Sequence, residues 1–150
     1  MSAPYANQRS EASRSEIFKE NGALALPVTY TALITATVAE INAAAGRVII
    51  PGVANRAIIV TDFDLICTGV AAGATAIVLQ SSNGTPVLVA TVPVAAAGNG
   101  AVVTQFTASV VRGAGFRVAV GAGDSIVIAK TGATLTGTTT IAVKLEYQIA

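Results

Sequence analysis

The chain has 150 residues, a length that fits one domain with a substantial core. Over half of its residues are apolar, only 11% are charged, and the formal net charge is +1. An ordinary domain carries about 25% charged residues. The near-neutral charge argues against nucleic acid or an anionic membrane as a partner. The low charge favours a surface covered by copies of the chain or by a partner, although a monomer with many Thr, Ser, Asn and Gln side chains is the alternative.

The first segment, residues 1–26, is polar and differs in composition from the rest. Its basic and acidic residues alternate, which predicts a zwitterionic strip suited to protein contact rather than to DNA. We expect an N-terminal arm that becomes ordered on a neighbouring subunit, and the alternative is a disordered tail with no role. No apolar run follows the basic residues, so we expect no secretory signal here. The predicted partner contacts of the arm are Tyr5, Arg9, Arg14, Ile17, Phe18 and Lys19.

Residues 21–39 form a long uncharged stretch, which raises the question of a membrane span. Pro27 interrupts this stretch, and Thr and β-branched residues recur in it at spacings that do not suit an apolar helix. The seven Phe and Tyr residues of the whole chain are too few for the aromatic girdles of a membrane barrel. The sequence therefore predicts no membrane insertion.

Residues 27–150 show short apolar runs that alternate with Gly-rich turns and contain no sustained helical pattern. Eight or nine strands at spacings near ten residues predict an all-β, antiparallel sandwich or closed barrel. An eight-stranded jelly roll fits this count best, and residues 40–47 are predicted as a connection or a single helical turn. The predicted strands are 28–38, 47–50, 57–68, 75–82, 86–94, 101–110, 117–120, 125–130 and 138–148.

Alternation within these strands predicts which side chains face the core. In residues 57–68 one face carries both carboxylates, so the opposite face is predicted to be inward: Ile59, Thr61, Phe63, Leu65 and Cys67. The last strand alternates most regularly, which predicts a half-buried antiparallel strand, central or pairing rather than at an edge. Its predicted inward face is Ile141, Val143, Leu145 and Tyr147, and its outward face is Ala142, Lys144 and Glu146. Residues 131–137 are predicted as a loose turn, and two prolines that bracket residues 86–94 predict an edge strand.

The sequence offers little for catalysis. Histidine is absent, which removes the commonest general base and the commonest zinc ligand. Asp62 and Asp64 form a D-x-D pair that suits a hard cation, but two carboxylates on the solvent face of a strand are the stronger interpretation. Cys67, the single cysteine, lies in an apolar run and is predicted to be a buried thiol. We therefore expect no enzyme, no catalytic residues, no metal and no cofactor.

Four segments carry a resemblance to a known group of proteins. They read "RAIIVTDFDLICTG", "TAIVLQSSNGTPV", "ATVPVAAAGNGAVVTQF" and "GAGDSIVIAKTGATLTGTTTIAVKLEYQ". In order and pattern they resemble small jelly-roll virion proteins of tailed bacteriophages. The resemblance covers about residues 56–148 and does not extend to the arm.

The resemblance implies a jelly-roll subunit that forms a homotrimer and binds the major capsid protein on the outer surface of a phage head. Such capsid decoration (cement) proteins are made in the host cytoplasm and stabilise the shell against internal DNA pressure. The alternative is a tail-fibre or receptor-binding module that recognises the host surface. The scarcity of aromatic residues for sugar stacking favours a capsid decoration protein over a module that recognises the host surface.

Overall fold

The computed structural model describes residues 28–150, which form two antiparallel sheets with one apolar core between them. This confirms the all-β sandwich predicted from the sequence. The strands are β1 (Tyr30–Thr37), β2 (Arg47–Ile50), β3 (Ile58–Thr68), β4 (Ala72–Ser81), β5 (Leu88–Pro93), β6 (Val102–Thr104), β7 (Val111–Arg112), β8 (Ile126–Thr136) and β9 (Thr140–Ile149). A short helix, α1 (Val38–Asn42), follows β1, and a 3-10 turn (Val94–Ala96) follows β5.

The strand order is that of a jelly roll. One sheet has the order β1-β9-β3-β6 and the other has the order β2-β8-β4-β5-β7. The antiparallel pairs are nested, since β4 pairs with β5, β3 with β6, β2 with β8 and β1 with β9. Such nesting is what results when one long hairpin is rolled into two layers. The short strand β7 is added at one edge.

Strand β9 lies inside its sheet, between β1 and β3, as the sequence predicted. Ile141, Val143 and Leu145 are buried, which confirms the inward face. Tyr147 is partly buried, and its ring stacks on that of Tyr30 with the centroids 5.4 Å apart. The regular alternation of β9 thus supplies the middle of the core on one side and an outward face on the other.

Helix α1 forms because a capping box closes its first turn. The side-chain oxygen of Thr37 accepts from the N–H of Glu40 at 3.3 Å, and the Glu40 carboxylate accepts from the N–H of Thr37 at 2.8 Å. Ile41 points into the core. The helix confirms the predicted helical turn, although it begins at Val38 rather than at residue 40. In the described residues no helix has the length and apolarity of a membrane span.

A bulge in β3 makes the predicted inward face partly wrong. Val60 pairs with Tyr147 while Asp62 pairs with Glu146, so Thr61 is an extra residue. The alternation therefore changes phase at Thr61. After the bulge the prediction is confirmed, but before it the predicted inward residues Ile59 and Thr61 are only partly buried. The buried residues of β3 are Ile58, Val60, Phe63, Leu65 and Cys67.

The turn predicted at residues 131–137 is wrong, because β8 continues through it to Thr136. Leu135 is fully buried in this part of the strand. Gly132 has φ of +77°, and the pairing with β4 shifts register on either side of Ala74, its partner. The glycine therefore permits an irregularity within a continuous strand rather than ending it.

Two other predicted strands are shorter or missing. Residues 101–110 keep strand pairing only at Val102–Thr104, and residues 117–120 form no strand. The latter segment still runs beside β3, because Arg117 and Val120 donate their N–H groups to Val60 and Ile58. The prediction that residues 86–94 form an edge strand is wrong, because β5 lies between β4 and β7, although β7 pairs with it at two positions only.

Candidate interaction surface

The outer face of the four-stranded sheet carries an exposed apolar row. Thr35, Ala142, Ile66 and Val102 stand side by side across β1, β9, β3 and β6. The small Ala142 side chain leaves a depression between its larger neighbours. Ile66 is 39% exposed and Val102 is 57% exposed. An apolar depression of this kind on an open sheet face is typical of a contact surface.

This depression is the outer groove, with a volume of about 300 Å³. Leu33, which is 73% exposed, forms its wall on β1. The groove is therefore bounded by side chains from all four strands of the sheet. Its lining residues are Leu33, Ile34, Thr35, Asp64, Ile66, Val102, Ala142, Val143 and Lys144.

The charged residues of the outer groove stand at one end of it. Asp64 and Lys144 occupy opposite positions on β3 and β9, in the row next to Ala142. The Lys144 ammonium lies 3.7 Å from the Glu146 carboxylate, its neighbour two residues along β9. The groove thus has an apolar end and an end where both signs of charge occur, which gives it no net attraction for an ion of one sign.

The D-x-D pair is divided between two environments rather than joined in one site. Asp62 accepts hydrogen bonds on one carboxylate oxygen from the N–H of Phe63 at 2.9 Å and from the side-chain amide of Gln105 at 3.0 Å. Asp64 instead lines the outer groove opposite Lys144. Among residues 28–150 no group of three or more His, Cys, Asp or Glu side chains could hold a metal ion.

The loop after β6 carries the other conspicuous side chains near this face. Gln105 is buried against Asp62, and its amide oxygen has no hydrogen-bond partner in the described part of the chain. The next residue, Phe106, is 79% exposed. The hydrogen bond between Gln105 and Asp62 therefore fixes this loop to β3, and the neighbouring Phe106 ring is exposed to solvent.

Two arginines flank an aromatic ring where the chain runs beside β3. The guanidinium of Arg117 lies 5.1 Å from the centre of the Phe116 ring, and that of Arg112 lies 6.0 Å from it. The Phe116 ring in turn meets Phe63 edge to face at 5.8 Å. These contacts anchor residues 111–117 to the core.

Two titratable groups have displaced pKa values, each with a local cause. Burial raises the pKa of the Cys67 thiol, which keeps it protonated and confirms the predicted buried thiol. The pKa of the Glu40 carboxyl is lowered, first by the N–H of Thr37 and then by the charge of Arg47, with which it also pairs. Both arrangements belong to the fold, and neither lies in the outer groove.

The partner contacts predicted for the arm lie outside the described residues. They are Tyr5, Arg9, Arg14, Ile17, Phe18 and Lys19. Of the residues that line the outer groove, the sequence singled out Asp64 as a possible cation ligand, but it did not predict the apolar groove itself. The sequence did contain a signal for an apolar outward surface. Ile66 and Ala142 are apolar, yet regular alternation places them on the same outward strand faces as the charged residues Asp64 and Lys144.

Comparison of the chain with protein-family models, with curated proteins and with solved structures gave no match. The resemblance to virion proteins therefore stays a prediction made from the sequence.

Proposed function

We propose that the protein is a structural virion protein, a capsid decoration protein that binds the outer surface of a phage head and stabilises it as a homotrimer. The observation that carries the contact role is the outer groove, an apolar depression on an exposed sheet face. The resemblance of residues 56–148 to phage virion proteins supports the choice of particle. In this proposal the protein needs no catalytic residue and no cofactor.

The proposed mechanism is clamping by many weak contacts. A capsid side chain that fills the outer groove removes Ile66 and Val102 from water, and complete burial of one such side chain contributes about 1.5–3 kcal/mol. Residues 1–26 supply a second contact on neighbouring capsid subunits. Two linked contacts in each subunit, repeated in a trimer, raise the overall avidity well above that of one groove.

The first experiment places the protein on the particle. A label on the C-terminus is imaged on intact virions of the phage that encodes the chain. Label spread over the head is the expected result. Label confined to the tail overturns the decoration proposal.

The second experiment separates the groove from the arm. Val102→Lys places a charge at the apolar end of the outer groove, and Val70→Lys makes the same change at an exposed valine away from it. We expect co-sedimentation with purified heads to show an affinity at least about tenfold lower for Val102→Lys than for wild type. Val70→Lys should bind as wild type does. Equal binding by both variants contradicts the groove contact.

The arm is tested by deletion of residues 2–24. We expect the shortened chain to fold and to keep its oligomeric state, yet to lose binding to heads. Binding at full strength by the shortened chain contradicts the role of Arg9, Arg14 and the other predicted arm contacts.

The tail module that recognises a host surface is the second candidate, and Phe106 is the observation that favours it. An exposed aromatic ring is a platform on which a sugar can stack, and Phe106 is 79% exposed. Saturable binding of the purified protein to host cells, lost in Phe106→Ala, is the result expected of this function.

A further inference from the structure

The four edge strands of the sandwich differ in how well they are protected from pairing with another chain. Strand β2 carries Arg47 and a register shift, β6 has three residues, and β7 has two residues that include Arg112. Strand β1 has eight residues, no charge, no proline and an unbroken register with β9. Charges, prolines, bulges and shortness are the devices that normally prevent edge pairing. Among residues 28–150, β1 is thus the edge that lacks all of them.

The hydrogen bonds identify which groups β1 leaves open. Val38 donates its N–H to the carbonyl of Thr139 at 3.1 Å, in continuation of the pairing of Thr37 with Thr140. Because partners alternate along an antiparallel strand, the even-numbered residues of β1 bond to β9. Thr31, Leu33, Thr35 and Thr37 therefore direct their N–H and C=O groups to the outer side.

One of these four positions already has a partner. The Thr37 N–H donates to the Glu40 carboxylate in the capping box, which closes that end of the edge. No other strand in residues 28–150 pairs with the outer side of β1. The open groups of the described chain are thus those of Thr31, Leu33 and Thr35, spaced evenly about Leu33.

We propose that β1 pairs with β1 of a second copy of this chain across a two-fold axis at Leu33. In this register Leu33 stands opposite Leu33 of the second copy, and Thr31 stands opposite Thr35 in both directions. Each of the three pairs exchanges two hydrogen bonds, so six bonds satisfy the outward N–H and C=O groups of Thr31, Leu33 and Thr35 in both copies. The two four-stranded sheets become one sheet of eight strands.

The side chains favour a second copy as the occupant. A two-fold axis places the two Leu33 side chains next to each other on the outer face, where one copy leaves this side chain 73% exposed. No charge lies on either edge strand. The nearest like charges in that row are the two Lys144 ammonium groups, which stand three strand spacings or about 14 Å apart and are screened by salt.

This inference is independent of the proposed function. A trimer requires a head-to-tail contact, whereas the β1 pairing is two-fold and self-complementary. In a homotrimer the pairing therefore joins two neighbouring trimers, and in a monomer it makes a dimer. A dimer has twice the mass of the monomer, and trimers linked through up to three such contacts have at least twice the mass of one trimer.

The register is tested by disulfide trapping in the full chain. Leu33→Cys brings two thiols to positions with Cα atoms about 5.5 Å apart, within disulfide range, and the native Cys67 is buried. We expect mild oxidation to convert most of Leu33→Cys to a covalent dimer. Thr31→Cys alone places its two thiols about 14 Å apart along the strands, so it should form no disulfide. A mixture of Thr31→Cys and Thr35→Cys should form a mixed disulfide, because these two residues stand opposite each other in the proposed register. Failure of Leu33→Cys to couple, or equal coupling by Thr31→Cys alone, overturns the proposal.

The contact itself is tested by charge exchange. We expect sedimentation equilibrium to show the wild-type mass rising with concentration to at least twice that of Leu33→Lys. In the variant two like charges would stand directly opposite each other and prevent the pairing. A mixture of Leu33→Lys and Leu33→Glu regains the wild-type mass, and Val70→Lys, with the same added charge elsewhere, behaves as wild type. Equal masses of wild type and Leu33→Lys at every concentration overturn the proposal.

Discussion

Asn42, the last residue of α1, shows how one side chain fixes the position of an element. Its amide donates to the carbonyl of Leu135 at 2.9 Å and accepts from the N–H of the same residue at 2.8 Å. The side chain thus takes the place of a neighbouring strand at this point of β8. Because Leu135 is buried, water does not easily replace either bond.

Loss of the two hydrogen bonds between Asn42 and Leu135 is expected to lower the free energy of unfolding. Asn42→Ala leaves a donor and an acceptor of the Leu135 backbone unpaired, and each unpaired group of this kind costs about 1–3 kcal/mol. Urea unfolding should show a lower midpoint with an unchanged slope. Thr134→Ala, which changes an exposed side chain on the same strand, is the control and should unfold as wild type does. A midpoint for Asn42→Ala equal to that of the control contradicts the bridging role.

Glu40 makes a pH-dependent contribution to stability. Its pKa in the folded chain is lowered, chiefly by the N–H of Thr37. The folded structure therefore favours the ionised carboxylate. The stability that Glu40 contributes is fully present above the unfolded pKa and is lost as the pH falls through the folded pKa. We expect Glu40→Gln to lower the free energy of unfolding at about pH 7 and to differ less from wild type at about pH 3. An equal difference at both pH values contradicts the assignment.

At the scale of elements, alternation predicted the faces of β9 correctly because no irregularity interrupts that strand. It was wrong in the first part of β3, because the bulge at Thr61 depends on pairing with a strand some 80 residues away, and local composition does not contain that information. The prediction of a turn at residues 131–137 of β8 was wrong because Gly132 is equally suited to a turn and to an irregular position inside a strand.

A methyl group at Gly132 tests whether this position of β8 requires a glycine. In the observed strand φ is +77° and a Cβ atom meets the side chain of Thr75, so Gly132→Ala should cost more than about 1 kcal/mol of the free energy of unfolding. Gly84→Ala is the matched control, because its Cβ meets nothing nearby. Thermal unfolding should show a lower midpoint for Gly132→Ala only. Equal midpoints for both variants contradict an irregular strand at Gly132.

At the scale of the whole molecule, the all-β sandwich could be predicted, because many short strands at regular spacing favour two packed sheets. The order of the strands depends on pairing between distant residues, which strand count and spacing do not determine. The outer groove could not be predicted either, since it needs Leu33, Ile66 and Val102 from three strands to stand in neighbouring rows. The predicted arm contacts belong to residues outside the described part, so they stay predictions.

The low charge of the chain leads to a prediction for the proposed binding to heads. If the outer groove makes the principal contact, affinity arises from buried apolar area and depends little on ionic strength. We expect the fraction bound to purified heads to change less than about twofold between about 50 mM and about 500 mM NaCl. A fall of tenfold or more assigns the principal contact to charged residues instead.

The nested pairing has a consequence for synthesis. Strand β9 follows the other strands of residues 28–150 in sequence, yet it is the partner of both β1 and β3, which are made long before it. Until residues 140–149 leave the ribosome, that sheet has no middle strand. The contacts join the most distant parts of the chain, and such topologies fold slowly. Until β9 is made, the uncharged strand β1 has no partner on either side, so the nascent chain is prone to aggregation before residues 140–149 are available for pairing.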